Sequence, residues 1–309
     1  MLPALLTTVL FSISAVCANR TASRMGGTEA NFWRLCLATA LLAIYAHGFG
    51  AGLGGAAFAM FFLSGCIGFG VGDVALFQAL PRIGSRMTVL IVQCLAAPFA
   101  AISEWLWLGT TATAAQMLCS AVILAGVAVA VAPSEHLNLT RRQLVVGILF
   151  ATLAAFGQGF GAVVSRKGFD IATLAGQNID GISAAYQRVI GGMIVSGIFL
   201  LVVKREEIRQ VLTSGGRVTP EERARKRELW KTLWWWIALN GLSGPALGVS
   251  CYQWALKTTP TSIVLPIVAL TPLVVIPFTR YLEGEKPTWR SILGGAIAVG
   301  GVVALKMVS

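Results

Sequence analysis

The chain has 309 residues, of which 56% are hydrophobic and only 12% charged, with a mean hydropathy of +0.76. A soluble protein of this size needs a more charged surface than that. The formal charge of +11 does not point to nucleic acid, because the basic residues gather between apolar blocks, where lysine and arginine set membrane orientation. The expected partners are the lipid bilayer and a small-molecule substrate, with no nucleic acid.

The apolar blocks run about 17–25 residues, the length of a membrane-crossing helix. In chain order they are 2–18, 30–47, 57–80, 86–108, 114–132, 143–163, 181–203, 232–256, 261–282 and 290–308. Ten transmembrane helices and an all-α integral membrane fold are expected. Block 2–18 does not read as a removable signal peptide. No small-residue cleavage site precedes a polar mature domain, and another span follows at once.

Span one carries Ser14. Arg34 and Arg188 lie early in spans two and seven. Long arginines there usually snorkel to headgroups, and the alternative is pairing with an intramembrane acid or a gate. Span three holds GVGDVALFQAL, 70–80, with Asp73 well inside it. An aspartate there costs a few kcal/mol. Gly65, Gly68 and Gly72 fall on one α-helical face suited to close packing, with Asp73 about 100° away. Three readings of Asp73 are open: a protonating coupling group, a site for a cationic substrate group, or an ion-paired structural acid.

Gln78 follows in span three. Span four carries Gln93 and, one turn from its end, Glu104, expected to face the membrane interface, with the cavity and a gate or ion-pair role as the alternative. Gln158 in span six and Asn240, Tyr252, Gln253 and Trp254 in span eight complete a polar and aromatic set from which a substrate path is expected. Pro98, Pro266, Pro272 and Pro277 weaken helix hydrogen bonding and suit bends.

The connection 204–231 is polar and holds nine Lys and Arg residues. Within it, Thr219, Pro220 and Glu222 form a helix-start pattern. A surface helix or an extension of span eight is expected. Trp230, Trp234, Trp235 and Trp236 read as an interfacial anchor. The six cysteines sit in apolar blocks without a CxxC pair and read as small buried hydrophobes. His47 and His136 have no neighbouring ligands, so no metal or cofactor is expected. No Walker A pattern occurs, so ATP is not a partner. An enzyme would need acids or histidines gathered at one membrane face. The nearest candidates, Glu283 and Glu285, belong to a turn.

The chain repeats itself. Ser23-Arg24 matches Ser165-Arg166, and Phe32-Trp33-Arg34 matches Tyr186-Gln187-Arg188. FQAL at 77–80 matches QWAL at 253–256, and APF at 97–99 matches TPL at 271–273. Gly126 and Gly300 are shared by spans five and ten. Two five-helix repeats follow, 1–133 and 141–309, the second including loop 204–231. Five is odd, so the second half is inverted, a hallmark of secondary transporters. Aligning FQAL with QWAL places Val249 opposite Asp73.

The stretch QWALKTTPTSIVLPIVALTPLVVIPFTRYLEGEKPTW, 253–289, resembles the EamA-type domain of the drug/metabolite transporter superfamily. The match rests on Ala255-Leu256-Lys257 closing a span, then Pro260, Thr261-Ser262, Pro272 and Gly284-Glu285. The first half matches through Ala79-Leu80 and Pro98, but has Gly109-Thr110 where the family usually has Gly-Glu. The resemblance implies ten helices and a central cavity opening to either side in turn. Family substrate classes include amino acids, nucleotide sugars, sugar phosphates and drugs. The expected function is secondary active transport of a small organic metabolite (amino acid, amine or drug-like solute) by alternating access. Proton coupling or exchange would drive it. The runner-up is a flippase for a lipid-linked metabolite. The expected setting is a bacterial inner membrane, as monomer or homodimer. Scarce deep arginine and lysine argue mildly against a doubly charged phosphate. Eighteen of the 24 basic residues fall in loops after odd-numbered spans. That puts both termini outside, whereas the resemblance implies termini in the cytoplasm.

Overall fold

The computed structural model describes residues 1–131, 140–207, 209, 220–276 and 289–308. Apart from short connections these residues are helical, with no strand among them. Six helices are long and apolar enough to cross a membrane, and Ala114–Ala130 and Thr261–Ile276 are shorter apolar helices. Helices occupy the described part of all ten expected spans, several of them longer than their apolar blocks; Pro277 and the rest of span nine, His136, Glu283 and Glu285 lie outside the described residues. Span one is Leu2–Met25, span two Gly27–Gly48, span six Arg141–Leu174 and span seven Gly181–Val203. Spans five and ten are Ala114–Val131 and Trp289–Met307. Caps set two of the starts. Thr140 and Gln143 cap span six reciprocally, and Asp180 accepts from the backbone of Ile182 and Ser183 at span seven.

Helical winding continues from Asp73 to Leu108, yet this segment is not one straight rod. Gly72 packs on Gly157, while Gln93 accepts from Gln158 at 3.3 Å. A straight helix would hold residues 72 and 93 about 30 Å apart. The chain therefore doubles back between Leu80 and Met87, giving spans three and four as the arms of a V. Span six lies in that V. It runs antiparallel to span three, with Gly168 at Phe61, and parallel to span four, with Arg166 at Glu104.

Span one does the same in the second half. Thr7 and Ser14 bond Gly248 and Asn240 of span eight. Thr8 and Ser12 bond the carbonyls of Ile267 and Thr271 in span nine. Each half thus lodges its first helix between the third and fourth helices of the other.

Repeat mates meet head to tail. In spans two and seven, Asn31 meets Ser196 and His47 meets Tyr186. In spans five and ten, Gln116 meets Val308 and Ser291 meets Ala130. Mates related by an axis along the membrane normal would run parallel. Antiparallel mates place the axis in the membrane plane, so the second half is inverted. Gly126 and Gly294 make the closest approach of spans five and ten, each with the other's backbone where a Cβ would sit. Gly300, expected as the shared glycine, has nothing within 4 Å of that position and takes no part.

Pro220–Gly241 runs directly into a π-helical segment, Leu242–Gly248, and then Val249–Thr258. The basic connection therefore ends as an extension of span eight; Thr219 lies outside the described residues. Trp234 and Trp235 are exposed, Trp230 packs edge-on against Trp33, and Arg20 lies over Trp236.

Candidate functional site

A second π-helical segment, Cys66–Gly72, interrupts span three after Phe58–Gly65. It covers the same repeat positions as Leu242–Gly248. Each wider turn ends one residue before a mate position, Asp73 in span three and Val249 in span eight. π-turns within α-helices are frequent at functional sites. They also change which way the glycines face. Gly65 abuts the carbonyl of Arg188 in span seven, whereas Gly72 abuts span six at Ala154 and Gly157. The single glycine face expected from α-winding is divided between two neighbours.

The crossing is symmetric. Gly65 meets Arg188 O, and its mate Gly241 meets Arg34 O. At Gly65 backbone fills the space of a Cβ outright, whereas at Gly241 a Cβ would be tight at 3.0 Å. Spans two and seven are thereby clamped with an arginine at each crossing.

The two arginines differ in their partners. Arg34 donates from Nη2 to Asp73 Oδ2 at 2.5 Å and from Nε to Asn31 Oδ1 at 2.8 Å. Asn31 in turn donates to Ser196 of span seven. Asp73 is thus ion-paired, with Arg34 occupying the place that a substrate cation would need.

Arg188 is only 4% exposed, and its Nε and Nη1 have no hydrogen-bond partner. Its guanidinium lies 5.2 Å from the ring centre of Phe69 and 5.6 Å from that of Tyr252. Asp73 acts on it through space. It does not snorkel, because the crossing at Gly65 holds its backbone among packed helices.

More unpaired polar atoms gather nearby. The Tyr252 hydroxyl is buried without a partner. Gln253 donates to Ser165, which shares a 2.7 Å hydrogen bond with Ser64, but its Oε1 has no partner. Gln187 donates to the carbonyls of Gly52 and Gly54, and its Oε1 is also unpaired.

Glu104 does not face outward; it is 1% exposed. It pairs with Arg166 Nε at 2.8 Å and accepts from the Thr261 backbone and hydroxyl and from the Ser262 backbone. A carboxylate at a helix N-terminus completes free N–H groups and suits the dipole. It joins its own span four to spans six and nine, so the carboxylate is matched from two sides.

The remaining candidates disperse. Ser14 donates to Asn240 Oδ1 at 2.7 Å, linking spans one and eight. Gln93 and Gln158 join spans four and six. Gln78 accepts from Arg82 on its own helix. Trp254 is 50% exposed and turns outward. The structure gathers Asp73, Arg34, Arg188, Tyr252 and Gln253, and leaves Gln78 and Trp254 outside. Phe69, Ser64, Ser165 and Arg166 belong with the buried polar contacts but were not singled out by sequence as site residues. Ser165-Arg166 was visible as a repeat mark, which could have flagged it.

Swapped, inverted five-helix halves with buried charge at their crossings define a multi-pass membrane protein of the transporter type. The chain belongs to the EamA-like transporter family, whose model matches residues 1–132 and 145–307. This is a drug/metabolite transporter family. A search of curated proteins finds no match. A protein of known crystal structure aligns at 14% identity over 99% of this chain and 98% of its own, with a TM-score of 0.74. At that identity the likeness speaks for the fold alone.

Proposed function

We propose that the chain is a secondary transporter that moves a small organic metabolite by alternating access. The observation that carries this reading is the exchange of first helices between inverted halves. Span six sits in the V of spans three and four, and span one between spans eight and nine. Rocking one half against the other would open the central crossings to one side and then, by symmetry, to the other. Asp73, Arg34, Arg188, Tyr252 and Gln253 lie at or beside those crossings and are the proposed substrate-contacting group. Asp73 serves there by neutralising Arg34. Glu104 is proposed as a fixed tie between halves rather than a moving gate.

The test is reconstitution of the full chain into liposomes, followed by counterflow of labelled amino acids, quaternary amines and sugar phosphates. Uptake accelerated by unlabelled solute inside is the expected outcome. Movement of a fluorescent lipid analogue with no solute counterflow would overturn the reading in favour of a flippase.

A further inference from the structure

Repeat symmetry makes the charge inventory of the interior unusually easy to read. Two pairs of arginine mates flank or form the crossings, Arg24 with Arg166 and Arg34 with Arg188. Three of these four have a visible resolution. Arg24 is exposed, Arg166 pairs with Glu104, and Arg34 pairs with Asp73. Arg188 has neither solvent nor a paired carboxylate. The position that would supply its acid by symmetry is Val249. Among the described residues, Arg34, Arg188 and Asp73 therefore form a buried group with one positive charge in excess.

A buried, unpaired cation is strongly unfavourable. Ring faces offset part of the cost, since Phe69 and Tyr252 flank the guanidinium. They do nothing for the N–H groups of Nε and Nη1, which have no acceptor. The Tyr252 hydroxyl, carried on the ring whose centre lies 5.6 Å from the guanidinium, is another buried donor without an acceptor. A planar fork of N–H donors matches a carboxylate, which accepts two parallel hydrogen bonds. An excess of one charge favours a monoanion over a dianion.

We infer that Arg188 and the Tyr252 hydroxyl form the binding subsite for one carboxylate group of the transported molecule, whose substrate class is small organic monoanions. The inference rests on the carrier reading above for the word transported, but not for binding itself. Gln253, next in sequence to Tyr252, holds a free buried acceptor in its Oε1. It suits a donor group carried elsewhere on the same molecule.

The experiment uses purified full-length protein and three matched pairs of probes: acetate and acetamide, benzoate and benzamide, N-acetylalanine and its amide. Thermal unfolding is followed at constant ionic strength. At least one carboxylate should raise the midpoint saturably while its amide does not. Arg188→Met should abolish that discrimination. Arg188→Lys, which keeps charge but loses the fork, should weaken binding more than Tyr252→Phe. Loss of the one hydroxyl should weaken binding by about tenfold, as expected for a hydrogen bond to a charged group. If Arg188→Met fails to fold, the lysine and phenylalanine variants carry the test.

Equal shifts from acids and amides, no shift from any carboxylate, or a carboxylate shift unchanged in the Arg188 variants would each overturn the inference. Counterflow of the same probes separates the two readings. Exchange of an amide independent of Arg188 leaves the carrier and removes the anion subsite. A carboxylate bound through Arg188 but never exchanged keeps the subsite and removes the carrier.

Discussion

The two halves share a backbone plan but divide the interior charge unequally. Spans two and seven are clamped by the same glycine crossing, and spans three and eight carry π-turns at matching positions. Among the described residues, the two acids paired to arginines between spans, Asp73 and Glu104, lie in the first half, while Val249 and Phe278 hold the mate positions. Symmetry therefore sets where the helices cross, and departures from symmetry set what each crossing can hold. The first half closes its charge internally at Asp73, and Glu104 reaches into the second half to hold Arg166 and the start of span nine.

Seven substitutions in four groups probe this contrast, in order of expected effect. Glu104→Gln removes a buried carboxylate with an ion partner and three hydrogen-bond donors. A loss of about 3 kcal/mol is expected, since breaking a buried pair strands its partner. An unchanged unfolding midpoint in detergent would show that spans four, six and nine are not tied there.

The arginine mates should next give opposite signs. Arg34→Met strands Asp73 and should destabilise by about 2 kcal/mol. Arg188→Met removes an uncompensated charge and should leave the ligand-free protein as stable or more so. Equal losses from both would erase the distinction between the halves.

The glycine clamps come third. A Cβ at residue 65 would lie 1.7 Å from Arg188 O, while one at residue 241 would lie 3.0 Å from Arg34 O. Gly65→Ala should therefore cost about 2 kcal/mol or more, and Gly241→Ala about half of that. Equal unfolding midpoints for the two variants would mean that the crossings are equally adaptable. The smallest expected effect is at Gly300, where alanine meets nothing and should be neutral or gain about 0.5 kcal/mol from helix propensity. Gly294→Ala, facing the backbone of span five, should lose stability on the same melting curve.

The spans and the inverted repeat were legible in the sequence because both are carried by local chemistry. Apolar blocks have a length set by the bilayer, and FQAL against QWAL fixes the register. The site was less legible. Whether an arginine early in a span snorkels depends on which helix crosses it, and the Gly65 crossing is a long-range fact. The same holds for Glu104. Its position one turn from a span end reads as interfacial until Arg166 and Thr261 are brought beside it. The glycine series misled for a different reason. Face arguments assume about 3.6 residues per turn, and the π-turn breaks that count at Gly72. The mismatch between Asp73 and Val249, by contrast, needed only the repeat alignment, and it is this difference that the buried arginine turns on.

The exchange of first helices also constrains how the protein can be made. Thr8 finds its carbonyl in span nine, 259 residues later in the chain. Span one must wait in the membrane, its hydroxyls bonded only within their own helix, until nearly all the protein has been inserted. Biogenesis is thus a late closure rather than a stepwise accretion, and slow assembly is the expected consequence of such distant contacts. For the same reason the halves should complement one another as separate chains, each supplying the helix the other lacks, while neither should persist alone against quality-control proteolysis.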